Sequence, residues 1–166
     1  MAYLHPDLWL PDIHAITKAH LEQLGVRGLM VDLDDTLVGS DDDTVPAEAL
    51  AWVRSWAPLG FRVVILSNGK PARVARFAEA ARLPAFALAG KPLQKAFRKG
   101  LAALELPPAE SVMIGDQIFT DVLGAKLAGT RSILVQPVSQ TGMLHTRLLR
   151  RIERSVLKGY TSGAQS

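Results

Sequence analysis

The chain has 166 residues and a net charge of +3; it is 48% hydrophobic and 21% charged, and it contains no cysteine. This length suits one domain with a single core, and the lack of cysteine excludes disulfides and thiolate metal sites within the chain. No stretch approaches the roughly 18 to 20 apolar residues of a membrane-spanning helix, and the first residues lack the pattern of a signal peptide. We therefore expect a cytoplasmic protein with one domain over residues 1–158 and a disordered polar tail over residues 159–166.

Helix and strand patterns alternate along the chain. Thr17 and Gly25 are the expected N-cap and stop signal of a first helix, and residues 26–32 have the pattern of a buried strand. Further strands are expected at 61–66, 85–88, 111–114 and 131–135, and the helices between them at 46–59, 71–82, 92–104 and 118–128. Apolar strands joined by helices predict a three-layer, doubly wound α/β fold with a five-stranded parallel sheet.

An acidic turn, Asp32 to Leu37, follows the first of these five strands. Asp32 and Asp34 are two residues apart, so on an extended segment their side chains point to the same side. Two close carboxylates repel each other unless a cation neutralises one and the other carries a proton. The motif indicates an acidic reaction or metal site, although helix caps and solvated loops have the same composition.

Two polar motifs follow the next two strands. Ser67, Asn68 and Gly69 place a hydroxyl group and turn amides where they can hold a phosphate oxygen, although Ser-Asn-Gly is also a common turn. Lys91 is a compact positive charge suited to phosphate, although a single lysine is usually just solvated. We expect a helix to begin directly after it, at Pro92.

A second acidic motif follows the fourth strand. Asp116 lies where its carboxylate can complete the oxygen shell of a hard cation. Asp121 lies near the start of the next helix, where a carboxylate also interacts favourably with the helix terminus. All four motifs fall at the carboxyl ends of strands, which is where open parallel sheets bind their ligands.

Taken in order, the four motifs closely resemble the haloacid dehalogenase superfamily. Its signature is a DxDxT turn, a Ser or Thr, a Lys and a GDxxxxD-type motif at successive strand ends. The segments that further resemble class IIIA phosphatases of the YqeG type are 31–37, 66–69, 90–92, 112–122, 124–129 and 146–154. That group is similar to phosphatidylglycerophosphate phosphatases, which remove the terminal phosphate during phosphatidylglycerol and cardiolipin synthesis.

The resemblance implies a Mg²⁺-dependent phosphatase with assigned residues. Asp32 would attack phosphorus and form an aspartyl-phosphate, while Asp34 would protonate the leaving oxygen and later activate water. Mg²⁺ would be bound by the Asp32 carboxylate, the Asp34 backbone carbonyl and Asp116. Asp121 would support the metal shell or orient Lys91. The residues that would hold the transferring phosphoryl group are Thr36, Ser67, Asn68 and Lys91.

The spacing of the motifs leaves no room for a cap domain. One helix and one strand fill the interval from Thr36 to Ser67, and the same is true from Ser67 to Lys91. An uncapped site is open, so it suits a phosphate carried on a bulky molecule such as a lipid, a protein or a nucleic-acid end. A partner subunit would be another way to cover such a site.

A phosphatidylglycerophosphate substrate would require contact with an anionic membrane, at its inner face, and two segments offer it. The first is a basic amphipathic helix pattern near the end of the chain, with an apolar face formed by Leu144, Leu148, Ile152 and Val156. The second is the apolar segment at residues 8–11. The alternative for both is packing onto the domain. Nucleic acid is not expected as a partner.

Two other functions are compatible with parts of the pattern. The first is an uncapped phosphatase acting on a phosphoprotein, a nucleic-acid 3′-phosphate or a small phosphorylated metabolite. The second is a receiver-like signalling module, although its lysine would follow the last acidic motif, whereas Lys91 precedes Asp116. Asp35 receives no catalytic role, and Trp52 and Trp56 are expected in the core or an interface.

Overall fold

A parallel sheet forms the centre of the computed structural model, which describes residues 2–139. Its strands are β1 (Leu8–Leu10), β2 (Gly28–Val31), β3 (Arg62–Leu66), β4 (Ala85–Phe86), β5 (Ser111–Gly115) and β6 (Arg131–Val135). They lie in the order β1-β6-β5-β2-β3-β4, and every neighbouring pair is parallel. All carboxyl ends therefore lie at one edge of the sheet and all amino ends at the other.

Helices cover both faces of the sheet, as the alternation of patterns predicted. They are α1 (Lys18–Leu24), α2 (Ala47–Ser55), α3 (Pro71–Ala81), α4 (Gln94–Leu104) and α5 (Leu123–Ala128). Successive side chains of a strand point to opposite faces. In β2, Leu29 and Val31 belong to the core under α1, α2 and α3, whereas Met30 belongs to the core under α4 and α5. The result is the predicted three-layer, doubly wound fold.

The strand count is six rather than the predicted five. The additional strand is β1, which pairs with β6 from Leu8 opposite Ile133 to Leu10 opposite Val135. Leu8 and Leu10 pack against the larger core, and Trp9 packs against Ile118 and its neighbours. Three residues are too few to show a strand periodicity. The Leu8–Leu10 segment is thus half-buried at the edge of the sheet, and its apolar residues contribute to the core.

Several helix boundaries differ from the predicted ones. The helix expected from Pro92 begins at Gln94, and the one expected over 118–128 starts with a π-helical turn, Ile118–Val122, before α5. Residues 46–59 divide into α2 and a 3₁₀ turn, Ala57–Leu59. Element boundaries depend on loop contacts that no short pattern contains.

Local signals with a defined chemistry were more reliable. The Thr17 hydroxyl accepts a hydrogen bond from His20 N at 3.2 Å, and Gly25 ends α1 with a φ of 71°. Trp52 and Trp56 are buried, with their ring centroids 5.7 Å apart in an edge-to-face arrangement. The predicted cap and stop of the first helix, and the core position of the two tryptophans, are confirmed.

Within residues 2–139, no cap domain is inserted between the strands of the sheet. The chain runs from Thr36 through a loop, α2 and β3 to Ser67, and from there through α3 and β4 to Lys91. Within residues 2–139 there is no helix that is both long and apolar enough to cross a bilayer. The predicted amphipathic segment around residues 144–158 and the predicted disordered tail lie outside the described residues.

Candidate active site

The predicted site residues converge at the carboxyl edge of the sheet. Asp32 directly follows β2, and Asp116 directly follows the neighbouring strand β5. From β2 the chain adds β3 and β4 on one side and then returns to place β5 and β6 on the other. Ligands of doubly wound sheets bind at such a change of direction. The fold therefore brings Asp32 and Asp116 to its expected ligand-binding crevice.

Lys91 joins two of the acidic residues. Its Nζ lies 2.9 Å from Asp32 Oδ1 and 2.7 Å from Asp121 Oδ1, and all three residues are buried. A lysine has three N–H donors and no acceptor, so it can serve both carboxylates at once. Three of the predicted site residues, Asp32, Lys91 and Asp121, therefore lie in direct contact.

Asn68 positions the backbone around Lys91. Its Oδ1 accepts hydrogen bonds from Gly90 N at 3.0 Å and Lys91 N at 2.8 Å, and its Nδ2 donates to Lys91 O at 3.0 Å. Although Asn68 was predicted to bind phosphate, its side chain thus serves the loop that carries the lysine. Asn68 is still among the residues that line the cleft described below.

Ser67 and Thr36, both predicted to hold phosphate, are buried, and their hydroxyl groups have partners within the protein. Ser67 is fully buried, and its Oγ accepts a hydrogen bond from Gly69 N at 3.0 Å. The Thr36 hydroxyl lies 3.3 Å from both Asp32 Oδ2 and Asp116 Oδ1. A hydroxyl has one hydrogen to donate. In this arrangement the Thr36 hydroxyl can donate to the carboxylate of Asp32 or to that of Asp116, and the Ser67 hydroxyl stabilises the turn that follows β3.

Three carboxylates form a compact group beside Lys91. One oxygen from each of Asp32, Asp116 and Asp121 lies within 4.8 Å of the others, and all three residues are buried. Mg²⁺ is a hard cation that prefers such oxygen ligands in a small octahedral shell. The donor set therefore fits the predicted metal. The predicted ligands were the carboxylates of Asp32 and Asp116 and the backbone carbonyl of Asp34; the group of carboxylates in the structure contains the first two together with Asp121.

Gly115 makes the close packing of Asp121 possible. A Cβ atom at residue 115 would lie 2.1 Å from Asp121 Oδ2 and 2.7 Å from its Cβ. Asp121 Oδ2 also accepts a hydrogen bond from Gln117 N at 3.2 Å. A steric requirement therefore explains the glycine of the GDxxxxD motif, because any side chain at residue 115 would displace the carboxylate that contacts Lys91.

Asp34 lies at the rim of the site and not in the buried group. Its Oδ1 accepts a hydrogen bond from Arg73 Nε at 2.5 Å, and its side chain keeps 32% of its exposure. A Cβ atom at Gly69 would lie 2.4 Å from Asp34 Oδ2, so only glycine allows this approach. No sequence motif predicts this role of Arg73, since nothing in the pattern distinguishes it from any other arginine in the first turn of a helix.

Burial dominates the electrostatics of the site. It raises the pKa of Asp32 from 3.8 to about 6; the ammonium of Lys91 opposes this change, while Asp121 and Asp34 add to it. For Lys91, burial lowers the pKa, but the two carboxylates of Asp121 and Asp32 outweigh it and hold the pKa above its ordinary value. Lys91 is therefore an ammonium ion, and Asp32 is a carboxylate that is costly to keep charged.

An open cleft of about 200 Å³ gives access to these groups. Its lining residues are Asp32, Asp34, Asn68, Gly69, Lys91, Gln117 and Thr120. Gln117 and Thr120 were not predicted, although both lie inside the GDxxxxD motif; the Thr120 hydroxyl donates to Gln117 Oε1 at 3.0 Å. The cleft places Asp32, Asp34 and Lys91 around one volume that can receive a small anionic group.

Asp35 has the structural role expected of an acid that points away from the site. Its φ is 62°, which turns the chain after Asp34. Its Oδ1 accepts hydrogen bonds from Ser40 N at 3.3 Å and Ser139 N at 3.1 Å, and also from the Ser139 hydroxyl. Asp35 thus ties the loop after β2 to the segment after β6.

Comparison with known proteins agrees with this geometry. Residues 7–129 match the family model of haloacid dehalogenase-like hydrolases. The chain is 37% identical to the Probable phosphatase YqeG of Bacillus subtilis, over 92% of this chain and 88% of that protein. It is 31% identical to the chloroplastic Phosphatidylglycerophosphate phosphatase 1 of Chlamydomonas reinhardtii, over 95% of this chain and 62% of that protein.

A solved structure shows the same fold. It is a predicted HAD-like family hydrolase from Porphyromonas gingivalis, with a TM-score of 0.56 at 17% identity, over 76% of this chain and 98% of that one. The buried Asp32–Lys91–Asp121 contacts, the matching family model and the similarity to YqeG all agree with one another. The chain therefore belongs to the haloacid dehalogenase-like hydrolases, and within that family it is a phosphatase.

Proposed function

We propose that this phosphatase is a Mg²⁺-dependent phosphomonoester hydrolase that works through an aspartyl-phosphate on Asp32. The observation that carries the proposal is the position of Asp32, which lines the open cleft, contacts the Lys91 ammonium at 2.9 Å and belongs to the three-carboxylate group. A carboxylate held in this way is oriented towards an incoming phosphate ester and can act as a nucleophile.

The residues that would hold Mg²⁺ are Asp32 and Asp116 through their carboxylates, Asp34 through its backbone carbonyl, and Asp121 as a close neighbour. When bound, the ion supplies positive charge that offsets the carboxylates and the phosphoryl oxygens. Lys91 contributes a second positive charge, with its Nζ 2.9 Å from Asp32 Oδ1. Together they would allow an anionic ester to approach an anionic nucleophile.

The first step forms the covalent intermediate. An oxygen of Asp32 forms a bond to phosphorus while the bond from phosphorus to the ester oxygen breaks. Asp34, which lines the same cleft, gives its proton to that leaving oxygen, and the alcohol departs. Lys91 stabilises the charge on the phosphoryl oxygens. This step needs Asp34 in its protonated form.

The second step releases phosphate. Asp34, now a carboxylate, takes a proton from a water molecule, and the water oxygen forms a bond to phosphorus. The bond between phosphorus and the Asp32 oxygen breaks, so inorganic phosphate leaves and the Asp32 carboxylate is regenerated. Asp34 ends the cycle protonated, ready for the next ester.

We further propose a bulky substrate such as phosphatidylglycerophosphate. No cap domain covers the cleft within the described residues. Leu88 and Leu93 flank the loop that carries Lys91, and they are 66% and 67% exposed. Exposed leucines beside an open phosphate site favour a substrate that presents apolar surface. The Chlamydomonas relative is named for this lipid activity. Contact with the inner face of a membrane, through residues 144–158 or through these leucines, would follow from such a substrate.

The experiment is a phosphate-release assay of the wild type and Asp32→Asn, with and without Mg²⁺. The substrates are phosphatidylglycerophosphate in vesicles, a phosphopeptide, an oligonucleotide 3′-phosphate and a small sugar phosphate. We expect Mg²⁺-dependent activity that is greatest on the lipid, and a loss of at least about 10³-fold in Asp32→Asn. Equal activity of the two proteins would refute the mechanism. Preference for another ester would replace the lipid with a phosphoprotein, a nucleic-acid 3′-phosphate or a small phosphorylated metabolite as the substrate.

A further inference from the structure

Arg73 makes three specific contacts that no sequence pattern around it predicts. It lies in the first turn of α3, and its three guanidinium nitrogens have three different partners. Nε donates to Asp34 Oδ1 at 2.5 Å, Nη2 donates to Gly39 O at 2.6 Å, and Nη1 donates to Asp42 O. All three acceptors belong to one stretch of chain, residues 34–42, that follows the nucleophile.

The chemistry of arginine makes this arrangement rigid. A guanidinium group is planar, always charged, and presents its N–H donors in a fixed fork. Only 19% of the Arg73 side chain is exposed, so water competes weakly for these hydrogen bonds. The carboxylate of Asp43 lies 3.9 Å away and is 97% exposed, so it adds little to the arrangement. The strong contacts of Arg73 are with Asp34 and the two carbonyl groups.

Asp34 is held from two sides as a result. Arg73 binds its Oδ1, while its Oδ2 lies against Gly69, at the distance where a Cβ atom would collide with it. Asp34 and Gly69 both line the cleft. Asp34 Oδ2, the oxygen that Arg73 does not bind, therefore lies beside Gly69, a residue that lines the cleft.

We propose that Arg73 is the positioning residue for Asp34: it fixes one oxygen so that the other faces the reacting atoms. This inference rests on the proposed function, since it gives Arg73 a role in the proton transfers of Asp34. The proton moves between Asp34 and the leaving oxygen in the first step, and between water and Asp34 in the second. Arg73 itself exchanges no proton, because a guanidinium group is always charged in proteins.

The competing explanation is that Arg73 only fastens the loop at residues 39–42 to α3. A structural role of that kind would lower activity on every ester by a similar factor. A role in positioning Asp34 has a different consequence, because a proton donor matters most when the leaving oxygen is strongly basic. An alkyl phosphate needs the proton, whereas a 2,4-dinitrophenyl phosphate releases a stable anion without it.

The experiment compares kcat/KM for these two esters in the wild type, Arg73→Ala and Arg76→Ala. The constant kcat/KM reports the steps up to the first phosphoryl transfer, so the later hydrolysis does not obscure the result. Arg76 is the matched control: it lies one turn further along α3 and donates to Asp43 O at 2.6 Å, a carbonyl of the same loop. It lacks the contact with the Asp34 carboxylate that Arg73 makes.

We expect Arg73→Ala to lower kcat/KM for the alkyl ester by about 100-fold, the lower range for a general acid, and for the dinitrophenyl ester by less than about threefold. Arg76→Ala should lower both by less than about threefold. Equal losses on the two esters in Arg73→Ala would overturn the inference, and so would the same leaving-group dependence in Arg76→Ala.

A second variant and a separate control keep the result interpretable. If Arg73→Ala does not fold, as judged by circular dichroism, Arg73→Lys gives the same comparison, because lysine keeps the charge but cannot form the three-way fork. For Arg73→Lys, the loss of kcat/KM on the alkyl ester divided by the loss on the dinitrophenyl ester should lie between one and the ratio expected for Arg73→Ala. A ratio of one would count against the inference. A wild type inactive on both esters would instead refute the proposed function.

Discussion

Two aspartate–lysine ion pairs lie at opposite edges of the sheet, and they behave in opposite ways. At the carboxyl edge, Lys91 contacts Asp32 and Asp121, and burial raises the pKa of Asp32 to about 6. At the amino edge, Lys126 contacts Asp7 at 2.8 Å. Burial alone would raise the pKa of Asp7, but its bonds to Lys126 and Ser132 lower it below 3.8.

The two ion pairs differ in the number of charged groups around them and in their exposure to water. The carboxyl edge buries three acidic groups around one ammonium ion, so negative charge is in excess and solvent cannot screen it. At the amino edge, Asp7 has both Lys126 and Arg131 beside it and remains partly exposed. The same ionic contact thus stabilises the fold at one edge, while at the other it leaves an excess of buried negative charge beside the cleft.

The largest contrast should come from removing each lysine. Lys91→Met leaves buried carboxylates without a counter-charge, and we expect it to lower the free energy of unfolding by about 3–5 kcal/mol in Mg²⁺-free buffer. Lys126→Met breaks an ion pair whose contacts water can replace in part, so we expect it to lower the free energy of unfolding by about 1 kcal/mol or less. Urea unfolding at pH 7 measures both. Equal losses would mean that the two pairs are energetically alike.

The pH dependence of stability should have opposite signs at the two edges. Because the pKa of Asp32 is raised, the folded protein keeps a proton that the unfolded chain has lost, and stability falls as pH rises from about 4 to about 6. The interval from 3.8 to about 6 corresponds to about 3 kcal/mol. Asp32→Asn should remove this decline and be the more stable protein at pH 7.

Asp7 provides the control of opposite sign. Its pKa is lowered, so its contribution is present above about pH 4 and is lost as pH falls through the folded-state value. Asp7→Asn should therefore be less stable than the wild type at pH 7, with the difference shrinking in acid. Urea unfolding from pH 3 to pH 7 with a chelator present measures both variants. Parallel curves for Asp32→Asn and the wild type would contradict the assignment.

Glycine substitutions compare the steric demands of the two edges. Gly115→Ala forces a Cβ atom into Asp121, and overpacking of this kind costs about 1–3 kcal/mol. It should also lower phosphatase activity by at least about tenfold, because Asp121 orients Lys91. At the amino edge, a Cβ atom at Gly28 would meet only the methyl ends of Leu106 and Leu104 within 3.0 Å.

Gly28→Ala is accordingly the control variant. Its neighbours are the far ends of flexible side chains, so it should retain activity within about threefold even if its melting temperature falls. Phosphate release and thermal unfolding, measured on both glycine variants, separate the effect on the site from the effect on the fold. A fully active Gly115→Ala would show that Asp121 can move without consequence.

The smallest effect should come from exposed leucines. Leu88 and Leu93 lie at the carboxyl edge, whereas Leu59 and Leu127 are exposed at the amino edge. Changing the first pair to serine should lower hydrolysis of phosphatidylglycerophosphate in vesicles by about tenfold, which corresponds to about 1.4 kcal/mol of lost binding. The rate on a soluble ester should be unchanged, since both leucine side chains are largely exposed to solvent.

The matched control is the same double change at Leu59 and Leu127. It removes exposed apolar surface at the opposite edge of the sheet, from side chains that are 49% and 45% exposed, and should leave both rates unchanged. A decrease on the vesicle substrate in both double variants would mean that the effect is one of general surface polarity. A decrease in neither would remove the leucines from the argument for a lipid substrate.

Much of this molecule could be predicted from patterns within the chain. Apolar strands separated by amphipathic helices predicted the layers, and Thr17 and Gly25 predicted the limits of α1. Asp32, Lys91 and Asp116 were predicted to meet because each follows a strand, and parallel strands end at one edge. These inferences need only the direction of the chain at the strand ends, so no long-range contact had to be known.

Other features were decided by tertiary contacts. β1 is three residues long, and its pairing with β6 makes it a strand. Thr36, Ser67 and Asn68 were expected at the phosphate, but the structure directs their polar groups to Asp116, to Gly69 N and to the Lys91 loop. Which partner a hydroxyl or amide group chooses depends on atoms distant in sequence, and a motif cannot supply those.

The sequence by itself determined which chemistry is assembled, through the identity and order of Asp32, Ser67, Lys91 and Asp116. Tertiary structure alone decided how charge is distributed around Asp32, because burial and the approach of Asp121 raise its pKa. It also brought Arg73 to Asp34 across a separation of 39 residues in the chain. Motifs record which groups are present, whereas dielectric environment, excess charge and orientation arise only when the packed chain brings distant groups into contact.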